Sequence, residues 1–170
     1  MAIVAELKPL PVTELTKDDP LYRELELSMQ QLGHLTPYRE TLNWDEVFDS
    51  VEIGEMPYLD MLKKAAAKND GLPLFIAKLM KGRTVFEHIM THPNNKDYYL
   101  PFHFEHPYQV NIKGNKIWIG SAPRLAEELK WLEMTIQNHS SDELKAFWSQ
   151  LRYASQQSMK HMTPIHLQQS

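Results

Sequence analysis

The 170-residue chain carries 18 Lys and Arg against 22 Asp and Glu, a formal net charge of −4, and no cysteine. That length supports one domain with a real core, and a hydrophobic share of 42% excludes wholesale disorder. The missing cysteines remove disulfides, thiolate metal sites and cysteine nucleophiles together.

The start of the chain has no basic cluster and no long apolar run, so it does not read as a signal peptide, and no stretch approaches a membrane span. A soluble, cytoplasmic protein is the expectation. Residues 1–16, with Pro9 and Pro11, read as an extended arm. Asp19-Pro20 opens a helix faced by Leu21, Leu25, Ser28 or Met29, and Leu32, which Gly33 ends. Asn43 and Glu46 have the form of a capping box before Trp44, Val47, Phe48 and Val51, a short helix that Gly54 stops. Pro57 begins the next, with Tyr58, Met61, Leu62 and Ala65 as its apolar stripe. Leu74 to Met80 favours a further helix closed by Gly82, a buried strand being the alternative. Thr84 and Glu87 form a second capping box ahead of Ile89 and Met90, and His92-Pro93 breaks the chain.

The stretch from Tyr98 to Leu129 is the most legible. Tyr108, Val110 and Ile112 alternate with polar residues, Gly114-Asn115 interrupts, and Ile117, Trp118 and Ile119 resume the apolar run, which predicts a hairpin at about 108–119. Ser121 can then cap a helix with Pro123 in its first turn. Anion binding at that helix start, beside Arg124, is the alternative to plain capping, but Gly-Ser-Ala-Pro matches no phosphate loop. Leu125, Leu129, Leu132 and Ile136 mark one long helix. Ser140 with Glu143 caps the last one, faced by Leu144, Phe147, Trp148 and Leu151, and a polar tail over 160–170 is expected to be flexible. The fold class expected is α+β. It is a predominantly helical single domain over 17–159, with a small antiparallel sheet, built on the hairpin, packed against the helices.

Net charge conceals a division. From Glu14 to Asp60 twelve acids face only Lys17, Arg23 and Arg39, a net of −9, while Met61 to Ser170 carries +5. Such asymmetry bears on partners rather than on fold. The acidic part interleaves aromatics with carboxylates, and Tyr22, Glu24, Tyr38, Trp44, Asp45, Glu46 and Asp49 are the candidate partner-binding residues. Complementary charge would speed encounter and the aromatic anchors would supply affinity. The reading that follows is a non-enzymatic binding or inhibitor protein of the bacterial cytosol, without a cofactor, that captures a basic protein partner. One concrete version is an immunity-type protein that occludes the groove of a toxin nuclease.

The alternative is a small metal-dependent enzyme. His88 and His92 are spaced i, i+4, and His103 and His106 follow with Glu105 between them, an inventory able to hold a divalent transition metal such as zinc, iron or manganese. No His-Glu-x-x-His is present, and the competing reading is histidines held by ordinary hydrogen bonds. Serine-nucleophile and nucleotide-binding motifs are lacking. Direct nucleic-acid binding is not expected, because the lysines from Lys63 to Lys81 are spaced like solvated helix faces in an acidic chain.

Overall fold

The computed structural model describes residues 1–8, 49–69, 85–112 and 114–170. The predicted helices at 19–33 and 74–82 lie outside these residues, as does the part of the helix predicted from Asn43 that precedes Asp49. In Ala2–Leu7 (β1) Ile3, Ala5 and Leu7 are buried and the residues between them half-buried, the period-two pattern of a strand with one core face. Asp49–Glu55 (β2) follows, then the helix Met56–Asn69 (α1), which has Pro57 in its first turn and buries Leu59, Leu62, Ala65, Ala66 and Ala67. A short helix Glu87–Thr91 (α2) leads into Asp97–Leu100 (β3), and the predicted hairpin is present as Tyr108–Ile112 (β4) and Asn115–Ser121 (β5). The chain then runs through Ala122–Trp131 (α3), Glu133–Gln137 (α4), Asp142–His161 (α5) and Ile165–Gln169 (β6).

The strands form one six-stranded sheet in the order β2-β1-β6-β3-β5-β4. β3 and β5 run parallel and all other neighbours antiparallel, so the sheet is mixed. This corrects the expectation of a predominantly helical domain with a small hairpin sheet: the hairpin supplies only two of six strands. The others escape local patterning because their partners are distant in sequence. β1 pairs with β6 from Ile3↔Gln169 to Leu7↔Ile165, and a pairing across nearly the whole chain leaves no turn signal beside either strand. Residues expected as an arm and a flexible tail thus include two adjacent strands of the sheet.

Three boundaries also move. Val51, read as part of a helix, is a buried residue of β2, and Gly54 marks a β-bulge at φ 143° instead of a helix end. The long helix after β5 breaks at Leu132, whose amide bonds back to the carbonyls of Glu128 and Leu129, and restarts as α4. The last helix is capped by Ser141, whose hydroxyl accepts the Leu144 amide, one residue beyond the expected cap. Ser121 does cap α3 by accepting the Arg124 amide, as the sequence predicts.

One main core lies between the sheet and the helices, with Ile3, Ala5, Val51, Ile53, Ile165 and Leu167 against Leu125, Leu129, Leu144, Phe147 and Leu151. Trp148 anchors α5 to α3 by donating its indole N–H to the Leu129 carbonyl at 2.8 Å. A second, smaller cluster holds Tyr98, Leu100, Phe104, Val110 and Ile119, residues of the opposite strand parity that the loop after β3 helps to enclose. Among the described residues no helix is long and apolar enough to cross a membrane.

Candidate functional site

The histidines organise a buried polar clamp around α2. His88 and His92 are both fully buried. The His88 Nε2 accepts the Ser121 amide hydrogen at 3.0 Å, which places the ring proton on Nδ1, and Nδ1 donates to Glu128 Oε2 at 2.9 Å. The same carboxylate accepts the amides of His88 (3.2 Å) and Ile89 (3.1 Å), two donors of the first turn of α2. At the other end of the helix, the Asn94 carboxamide nitrogen donates to the carbonyls of His88, Ile89 and His92, and Tyr99 donates its hydroxyl hydrogen to the Asn94 oxygen. Asn94 sits at φ 61°, a left-handed conformation that asparagine tolerates. His92 completes the clamp, with Nε2 donating to the Tyr98 carbonyl and Nδ1 accepting the Asn94 amide. A five-residue helix too short to be stable alone is thereby fastened at both ends.

Burial decides the protonation states. It pushes both His88 and His92 down to about 3, so both rings are neutral near pH 7, in agreement with each having one donor and one acceptor nitrogen. Burial likewise pushes Glu128 up, to about 8 even against the opposing pull of the Ile89 and His88 amides and of Arg124, 3.6 Å away. Its hydrogen-bond partners are all donors, which suits a carboxylate. The sequence carries a signal for this burial: Glu128 falls at i+3 from Leu125 and i−4 from Leu132, within the apolar stripe.

The four histidines therefore do not converge. Both ring nitrogens of His88 and of His92 are occupied by protein partners, whereas His103 and His106 are exposed and lie against Glu127 and Glu87 respectively. Among the described residues no group of three or more His, Asp or Glu is arranged to hold a metal ion.

Of the candidate partner-binding residues, Tyr22, Glu24, Tyr38, Trp44, Asp45 and Glu46 lie outside the described residues. Asp49 is the half-buried first residue of β2, opposite buried Leu7, and its carboxylate accepts the Ser50 amide at 2.8 Å. The carboxylates that β2 does present to solvent are Glu52 and Glu55. Three positions apart, they would face opposite sides of a regular strand. The bulge changes this: Glu52 pairs with Val4, Gly54 with Ile3 and Glu55 with Ala2. Val4 and Ala2 share a face of β1, so Glu52 and Glu55 share one too. Glycine permits the bulge, since a Cβ at Gly54 would lie 2.9 Å from the Phe147 ring in addition to requiring positive φ. Glu6 stands on the same face two positions further along β1, paired with Lys8 at 2.7 Å, and Glu55 lies 3.0 Å from the Met1 amino group. Among the described residues Glu52 has no ion-pair partner. Reading Gly54 as a helix stop hid this arrangement.

This is a mixed α+β sheet protein with two hydrogen-bonded histidines, His88 and His92, locked in its interior and carboxylates displayed on its edge strand. Residues 7–167, nearly the whole chain, match the family described as "Putative DNA-mimic protein", and the chain belongs to that family. Neither the search among curated proteins nor that among solved structures finds a match. Family membership corrects the function drawn from charge and size alone, the immunity-type inhibitor aimed at a toxin nuclease. It corrects the partner as well: what a DNA mimic engages is a protein built to bind DNA, so the relevant chemistry is that of nucleic-acid recognition, which the sequence reading had set aside.

Proposed function

We propose that this protein is a DNA mimic that occupies the DNA-binding surface of a DNA-binding protein and so competes with duplex DNA. The family match over residues 7–167 carries the reading. The net charge of −9 between Glu14 and Asp60 supports it, because a phosphate backbone is recognised chiefly by lysine and arginine, whatever the base sequence. The bulged edge strand supports it in detail. The register partners of Glu52 and Glu55, Val4 and Ala2, lie two positions apart on β1, a rise of roughly 7 Å along the strand. Successive phosphates of one DNA strand advance roughly 3.4 Å along the axis, and their winding about it widens the separation to much the same value. On this reading the protein works in the cytoplasm beside the DNA-binding proteins it engages, and needs no cofactor.

The test starts from proteins of the source cell that are retained on double-stranded DNA. These are passed over the immobilised protein and eluted with a short DNA duplex. A retained protein that the duplex displaces, and that loses its own DNA binding when the soluble mimic is added, is the expected result. The double variant Glu52→Lys/Glu55→Lys should retain less of it. If nothing bound to the protein is displaced by duplex DNA, the reading is wrong.

A further inference from the structure

The opposite charge gathers elsewhere. Between α1 and α4 lies an open cleft of about 520 Å³, within the range of sites that hold small organic molecules. Its apolar lining comes from Met61 and Ala65, one wall carries Lys64 and Lys68, and the other carries Thr135, Asn138 and His139. The Thr135 hydroxyl donates to the Asn69 side-chain oxygen at 3.2 Å, which ties α4 to the end of α1.

Three features define what would fit. Lys64 and Lys68 stand one helical turn apart on one face of α1, both exposed and neither with an ion-pair partner among the described residues. Among the described residues no carboxylate lines the cleft, although acids outnumber bases in the chain. Finally, the His139 Nδ1 accepts the Ser141 amide at 3.0 Å, leaving Nε2 to carry the ring's proton as a further donor. Cationic and neutral donors thus surround an apolar surface.

We propose that this cleft binds a small organic anion with an apolar body, aromatic or short-alkyl, and one phosphate or carboxylate group held by Lys64 and Lys68. The proposal stands apart from DNA mimicry and does not depend on it.

Amide spectra of the isotope-labelled full chain, titrated with phenyl phosphate, benzoate, benzyl alcohol and inorganic phosphate, would test it. The expected result is a saturable shift of the Ala65, Asn138 and His139 signals with phenyl phosphate or benzoate. Tighter binding of the first would assign a phosphomonoester, and of the second a carboxylate. Benzyl alcohol should bind at least about tenfold more weakly, and the Lys64→Gln/Lys68→Gln variant, altered only at exposed side chains, should lose about the same factor for the anions. Absence of a saturable shift, undiminished binding by the double variant, or equal affinity for inorganic phosphate would each overturn the assignment.

Discussion

Glu128 receives donors only, and that makes a definite demand on its replacement. Glutamine keeps the shape but sets an amide NH₂ against the N–H groups of His88 or Ile89, so Glu128→Gln should cost nearly as much stability as Glu128→Ala, roughly 2–3 kcal/mol by chemical unfolding. A glutamine variant as stable as the parent would show that the carboxyl is held protonated. The two buried histidines fix the acid behaviour. With native values near 3 against an ordinary 6.5, they remain neutral in the folded protein while the unfolded chain takes up protons, so stability is present above about pH 6.5 and is lost as pH falls toward about 3. Glu128, raised by burial, works in the opposite sense, one proton against two. The urea midpoint should therefore decline with each step below about pH 6.5, and a flat profile down to about pH 4 would contradict the burial of two neutral rings.

At the scale of elements, legibility in the sequence follows the range of the contact. The β4–β5 hairpin, the Ser121 cap and the start of α1 at Pro57 are written in neighbouring residues and were recoverable from them. β2 was not, because a bulge interrupts its alternation at Gly54 and its face is set by β1. β6 was not, because a five-residue strand with His166, Gln168 and Gln169 looks polar until it is placed between β1 and β3. The same locality rule explains the site: Glu128 was visible within one helical stripe, whereas the common face of Glu52 and Glu55 exists only through register. Two predictions belong here. Ending the chain after Met162 removes an interior strand with buried Ile165 and Leu167, so the truncated protein should show no cooperative thermal transition, and a transition near that of the full chain would refute the topology. Gly54→Ala combines a positive φ with a 2.9 Å approach to Phe147, and should cost roughly 2–3 kcal/mol in denaturant unfolding.

For the whole molecule the charge division governs encounter. On the DNA-mimic reading, a segment at −9 in a chain whose remainder carries +5 favours approach to a cationic partner through that segment. Association with the DNA-binding partner should therefore slow steeply as salt rises, with dissociation changing less, in rapid-mixing measurements across the range where the screening length shrinks from roughly 30 to 8 Å. Equal salt sensitivity in the Glu52→Lys/Glu55→Lys variant would move the steering away from the edge strand.

The adjacency of β1 and β6 also governs how the molecule comes into being. During synthesis β1 can meet β2 early, but β3, β4 and β5 can join them only through residues 165–169, which follow all of them in the chain. The nascent chain must therefore wait with half a sheet and an open seam, and closure is a single late event of high contact order. Until then that seam exposes backbone groups able to pair with any passing strand, which makes the interval before residues 165–169 become available the period when a chaperone has most to protect.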